Sequence, residues 1–166
     1  MNKKKSIEMS FKYGIDTLTV AKVIQIAKGK LPAEITPVAK AKVTESRKKV
    51  EAIANGNKAV YGINTGFGPL CNVEITPEQT NKLQENLLLT HAVGVGAPID
   101  KKLSKIMMIC KVHALCQGFS GVRLSSIERI LFFIENNLLP VVPEQGSVGA
   151  SGDLAPLAHL FLPLIG

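Results

Sequence analysis

The stretch Gly146-Ser147-Val148-Gly149-Ala150-Ser151-Gly152-Asp153-Leu154-Ala155-Pro156-Leu157-Ala158-His159 constrains this chain more than any other. At its centre, Ala150-Ser151-Gly152 has nothing larger than a methyl or hydroxymethyl group to obstruct the backbone, so the chain can fold tightly on itself. That closeness permits an unusual reaction, attack of the Gly152 amide nitrogen on the Ala150 carbonyl carbon. Loss of two waters then leaves a five-membered imidazolone, with the Ser151 β-carbon as an exocyclic methylidene. Such a ring is an electrophile of a kind that no ordinary side chain supplies, and it acts as a built-in cofactor. Alone, an Ala-Ser-Gly triplet is an ordinary turn or helix start. Its surroundings decide the matter.

The length of 166 residues with 46% hydrophobic content suits one domain with its own core. The formal charge of +7 is concentrated in residues 1–60, where 13 Lys/Arg face 5 Asp/Glu. Lys3-Lys4-Lys5 and Arg47-Lys48-Lys49 lack interleaved aromatics and accompany no nucleic-acid motif, so they read as a solvated head and helix face. No nucleic-acid partner is expected. No apolar run reaches membrane-spanning length and no signal peptide follows the lysines, so no membrane association is expected. Cys71, Cys110 and Cys116 lack paired or metal-like spacing, which suits a reducing cytoplasm. His91, His113 and His159 are too scattered for a metal site.

Along the chain, Ile7 to Phe11 alternates like a short strand, and a second is expected near 59–63. Thr19 caps a helix with Val20, Val23, Ile24 and Ala27 on one face, ending at Gly29. Thr36-Pro37 starts a second, with Val43, Ser46, Val50 and Ile53 inward, closed by Asn55-Gly56. Thr76-Pro77-Glu78-Gln79 opens a third with a capping box. That helix runs past Leu83, Leu87 and His91 and ends at Gly94, Gly96 and Pro98. Asp100 caps a fourth, with Leu103, Ile106, Met107, Cys110 and Ala114 predicted inward. A fifth carries Ile127, Ile130, Leu131 and Ile134 and runs out at Asn136-Asn137. Met107, Met108, Phe132 and Phe133 read as core. Leu139 to Pro143 is extended, and a last helix starts near Asp153.

Two further segments bear on the triplet. Tyr61-Gly62-Ile63-Asn64-Thr65-Gly66-Phe67-Gly68 is a glycine-rich loop that, alone, reads as a turn with a half-buried tyrosine. Leu87-Leu88-Leu89-Thr90-His91-Ala92-Val93-Gly94-Val95-Gly96 ends a helical face on a histidine, which is more often packed than catalytic. Together and in this order, the three segments resemble the histidine and aromatic amino acid ammonia-lyases. The match around the triplet is unbroken from Gly146 to His159.

The resemblance implies a mainly α fold, the N-terminal portion of the ammonia-lyase helical fold with a few short strands. Residues 1–166 form a single N-terminal segment, expected to be truncated inside the first long helical part because the chain stops in the apolar run Leu162-Pro163-Leu164-Ile165-Gly166. It also implies a methylidene-imidazolone (MIO) formed from Ala150, Ser151 and Gly152 without an external cofactor, and ring-formation support from Asp153. Tyr61 is the implied base, while Gly62, Asn64 and His91 are implied to bind substrate. A phenol, with an ordinary pKa of about 10, needs electropositive surroundings to act as a base near neutrality. The implied reaction is elimination of ammonia from an L-amino acid by a cytoplasmic homotetramer. A single histidine followed by alanine, at His91-Ala92, resembles the histidine-specific members, so L-histidine to trans-urocanate is expected. Thr90 departs from the serine usual there. The alternatives are a phenylalanine or tyrosine lyase, an aminomutase, or a catalytically silent helical association domain.

Overall fold

The computed structural model describes residues 10–56, 58–68, 75–149 and 152–166. Among them are six helices: α1 (Val20–Ala27), α2 (Pro37–Ala54), α3 (Pro77–His91), α4 (Lys101–Leu115), α5 (Leu124–Glu135) and α6 (Leu154–Phe161). Two short ribbons complete the fold. β1 (Phe11–Lys12) pairs in parallel with β2 (Ala33–Glu34), and β3 (Val95–Pro98) pairs antiparallel with β4 (Pro143–Gln145).

The helix starts follow local chemistry. The hydroxyls of Thr19, Thr36 and Thr76 accept hydrogen bonds from the amides of Lys22, Ala39 and Gln79. These bonds satisfy donors that have no partner inside the helix. Gln79 reaches back to the Thr76 amide at 3.1 Å, completing the capping box. Asp100 caps α4 through the Lys102 amide at 2.7 Å.

The core gathers Phe11, Tyr13, Val23, Ile26, Val43, Met108, Ile109, Val112, Ile127, Ile130 and Ile134. α4 packs against both α1 and α5, while α3 packs against α6. α4 lies with a different face inward from the one predicted. Ser104, Met108, Ile109, Val112 and Cys116 are buried, whereas Leu103 is 51% exposed and Cys110 and Ala114 face outward. One residue step along a helix is a rotation of about 100°, and α4 is apolar on both candidate faces. Ser104 and Cys116 are fully buried on the face that is chosen, Cys116 beside Gly14, and Ile106 and Met107 stay half-buried at the edge of the core.

Other expectations also change. Residues 61–63 form a turn where a strand was expected, held by Ile63 and Asn64 amides donating to the Val60 carbonyl. Of the segment Ile7 to Phe11, the strand includes Phe11, and residues 7–9 lie outside the described residues. Phe132 is 47% exposed, outside the core. Ile53 is likewise exposed at the end of α2. The segment around Gly94 and Gly96 terminates a helix and also supplies β3.

Of the described cysteines, Cys116 is buried and Cys110 exposed. Burial pushes the Cys116 thiol up to about 11 and also raises that of Cys110. The thiolate is the reactive form. Iodoacetamide at mildly alkaline pH should therefore label Cys110 well before Cys116, as read by peptide mass mapping. Equal labelling rates in the folded chain would contradict this packing.

Candidate active site

Four separate segments meet around a cavity of about 410 Å³. Tyr61 and Phe67 come from the glycine-rich loop, and Leu87, Leu88 and His91 from the last turns of α3. Lys111 comes from α4, and Leu154, Leu157, Ala158 and Phe161 from α6. The lining is mostly apolar with one phenol, one imidazole and one ammonium, the composition expected of a small-molecule site.

The loop before the cavity is stapled by Asn64. This residue is 6% exposed; its side-chain carbonyl accepts from the Val60 amide at 2.8 Å, and its NH₂ donates to the Lys58 carbonyl at 3.1 Å. The Thr65 hydroxyl donates to the Gly66 carbonyl at 2.9 Å. Gly62 sits at the exposed tip with φ of 76°. Tyr61 is 62% exposed, and its ring stands edge-on to Phe67 with centroids 5.7 Å apart. Asn64 thus spends both side-chain groups on its own loop, which fixes where Tyr61 emerges.

His91 is half-buried at the end of α3. Its Nδ1 lies 2.8 Å from the Leu87 carbonyl, which can only accept, so Nδ1 carries the proton in that contact. The neighbouring Thr90 hydroxyl donates to the Asn86 carbonyl at 2.7 Å. One ring nitrogen is therefore spent on the helix, and the ring's orientation is set by it.

α6 begins immediately after the triplet. Ala150 and Ser151 lie outside the described residues; Gly149, Gly152 and Asp153 frame them. Gly149 and Gly152 have φ of 77° and 81°, and no described atom lies within 4 Å of where a Cβ would sit on either. Asp153 takes the left-handed conformation, φ 58°, at the start of α6, and its carboxylate accepts from the Ser147 hydroxyl. Ring closure requires a glycine amide as nucleophile, a serine that can lose water, and a nearby group to handle protons. Gly152, Ser151 and Asp153 are of the right chemistry, and the residues fit that group.

Tyr61 and His91 thus line one cavity with the helix that follows the triplet, whereas Gly62 and Asn64 shape the loop behind Tyr61. Phe67, Lys111, Leu154 and Phe161 escape a reading of the sequence. Lys111 had a signal, a lone cation inside the apolar run Ile106-Met107-Met108-Ile109-Cys110-Lys111-Val112. Among the described residues, no group of three or more His, Cys, Asp or Glu could hold a metal ion.

A family model described as aromatic amino acid lyase matches residues 18–166. The chain is 47% identical over 149 residues to a histidine ammonia-lyase of Streptococcus gordonii, covering 90% of this chain and 29% of the relative. It is 46% identical over 151 residues to a histidine ammonia-lyase of Streptococcus pyogenes serotype M1, covering 91% and 29%. Among solved structures, a histidine ammonia-lyase from Trypanosoma cruzi superimposes with a TM-score of 0.83 at 35% identity, covering 95% of this chain and 30% of that one. A tyrosine aminomutase from Streptomyces globisporus does so with a TM-score of 0.84 at 30% identity, again covering 95% and 30%. The chain spans less than a third of the length of these relatives. A family match over almost the whole chain, with a fold shared by solved members, means that this chain belongs to the aromatic amino acid lyase family.

Proposed function

We propose that this chain carries the electrophile-forming and base-bearing part of an ammonia-lyase that converts L-histidine to trans-urocanate and ammonia. The observation that carries the reading is the cavity shared by Tyr61, His91 and the helix that begins at the triplet. An MIO group formed from Ala150, Ser151 and Gly152 supplies an electrophile for the substrate amino group. The remaining work falls to ordinary side chains. Tyr61 takes the β-proton of the substrate; the C–H electron pair becomes the new Cα=Cβ bond as the Cα–N bond breaks, so the reaction is redox-neutral. Lys111 contributes positive charge to the lining. The apolar walls from α3 and α6 give the site a largely apolar lining against which the substrate's carbon atoms can pack. His91 lines the pocket on the substrate side, and Asn64 with Gly62 sets the loop that presents Tyr61.

The preference for L-histidine rests on His91-Ala92 and on the names of the relatives at 46–47% identity. The similarity to a tyrosine aminomutase structure keeps tyrosine chemistry as the second reading. A cytoplasmic homotetramer belongs to the same proposal. It is carried over from the family resemblance alone.

The test uses a protein in which this chain is extended to the full length of its relatives. Competition between L-histidine, L-tyrosine and L-phenylalanine, followed by product ultraviolet absorbance, should favour L-histidine. A preference for tyrosine would reassign the substrate. Tyr61→Phe should lower kcat by on the order of a hundredfold or more, the usual worth of a positioned general base. Its intact mass should still show the loss of two waters. Unchanged turnover would remove Tyr61 from the base role.

The 166-residue chain alone is expected to keep an ordinary Ala150-Ser151-Gly152 peptide. Compressing the triplet strains the backbone, and strain persists only where surroundings enforce it. The open space beside Gly149 and Gly152 offers no such pressure from the described residues. Intact mass spectrometry should return the unmodified sequence mass; a deficit of two waters mapped to the Ser151 peptide would overturn this.

A further inference from the structure

The loop holding the triplet is pinned at both ends to one residue of another segment, Gly94. On the near side, a Cβ added to Gly146 would lie 3.1 Å from the Gly94 α-carbon and 3.4 Å from the Ala155 β-carbon. On the far side, the Gly94 amide donates to His159 Nε2 at 2.9 Å, 65 residues away in sequence. A Cβ on Gly94 would meet the same imidazole at 3.1–3.2 Å and the Gln145 carbonyl at 3.2 Å. The end of α3 and the end of β4 therefore approach at backbone distance and the His159 ring of α6 closes on the same point, a fit tight enough that a β-carbon at Gly94 or Gly146 would force its neighbours to shift.

The direction of this hydrogen bond defines the imidazole. A backbone N–H can only donate, so Nε2 must present its lone pair and His159 must be neutral with its proton on Nδ1. His159 is half-buried in α6, two turns beyond the triplet. Gly94 lies three residues after His91.

We propose that His159 is a positioning residue for the triplet loop, fixing α6 to the segment that follows His91 so that both ends of loop 146–153 are held. The inference rests on the proposed ring-forming role of Ala150-Ser151-Gly152. Anchoring both ends removes much of the entropy that a free loop would lose on tightening. It also sets the triplet and His91 in one frame, because the anchor on each side is the same backbone unit.

The test is made on the isotope-labelled 166-residue chain by NMR. In the wild type, His159 should show the neutral form with Nδ1 protonated and Nε2 coupled to the Gly94 amide; an Nε2-protonated ring would overturn the proposal without any variant. His159→Leu keeps bulk but no acceptor. It should speed exchange of the Gly94 amide by about tenfold, the size of one lost hydrogen bond, lower the backbone order parameters of Ser147, Val148, Gly149, Gly152 and Asp153, and leave core amides of α4 and α5 unchanged. His159→Gln places a carbonyl the same number of bonds from the backbone and should restore protection. Equal acceleration of the Gly94 and core amides in His159→Leu, or unchanged loop order parameters, would overturn the assignment, as would failure of His159→Gln to restore both. Should His159→Leu not fold, the wild-type ring state and the Gly94 amide protection of His159→Gln decide. None of these readouts depends on ring formation or turnover, so a failed clasp and a failed lyase reading give different results.

Discussion

Replacing Ser151 with alanine, in a protein carrying this chain at the full length of its relatives, is expected to lower ammonia release by on the order of a thousandfold or more. The reason lies in one atom. Alanine has no hydroxyl to lose as water, so the β-carbon cannot become a methylidene and no electrophile of the proposed kind can form. What survives in such a variant is substrate binding and the Tyr61 phenol, which can remove a proton but cannot turn an amine into a good leaving group. A thousandfold loss corresponds to about 4 kcal/mol in the barrier, a size consistent with removing covalent catalysis altogether. Two measurements separate the causes. Intact mass should show that the parent protein has lost two waters and the variant has not, and product absorbance gives the rate. A variant that retains a tenth of the parent rate would remove Ser151 from the chemistry, whatever the resemblance implies.

The largest expected loss of stability comes from Gly14→Ala. Gly14 lies just after β1 with φ of 73°, and its amide donates to His113 Nδ1 at 3.2 Å. A Cβ there would sit 2.3 Å from the Cys116 carbonyl oxygen and 2.4 Å from its carbon. Those are backbone atoms at the end of α4 and cannot swing aside. The left-handed conformation alone costs a non-glycine residue about 1–2 kcal/mol. Parting the β1 turn from α4 would also disturb Phe11, Tyr13 and Cys116, which are almost fully buried. A total of roughly 4 kcal/mol or more is expected, within the range reserved for named steric conflicts. Gly29→Ala is the control. Gly29 has φ of 68° but nothing within 4 Å of a Cβ, so only the conformational cost applies. Urea unfolding should separate the two variants by at least about 2 kcal/mol; equal losses would mean that β1 does not press on α4 as described.

Much of the organisation was legible along the chain because it depends on neighbours within a few residues. Thr19, Thr36, Thr76 and Asp100 each cap the helix they precede, since a short side-chain oxygen satisfies free amides at the first turn wherever that turn lies. α5 stopping at Asn136 is local too, its side-chain amide donating to the Phe132 carbonyl, whereas α6 starts after Asp153 without a side-chain cap. The candidate chemistry was legible for a similar reason, because the ring closure proposed for Ala150-Ser151-Gly152 would need only three consecutive residues, flanked by glycines in the sequence.

What the fold alone decided concerns choices between locally equal options. α4 is apolar on two faces, and only its placement between α1 and α5 selects Ser104, Met108, Val112 and Cys116 over Leu103, Cys110 and Ala114. Gly94, Gly96 and Pro98 read from the sequence only as a helix stop; the partner β4, almost fifty residues on, also makes Val95–Pro98 a strand. Tyr61 and His91 are ordinary loop and helix residues until α6 closes the wall opposite them, and Lys111 joins them only through the turn of α4. Capping and turn chemistry are energies of adjacent backbone groups and are therefore written in order along the chain. Face selection, the β3–β4 pairing and the Gly94–His159 contact are energies between segments distant in sequence, and they exist only once packing has brought those segments together.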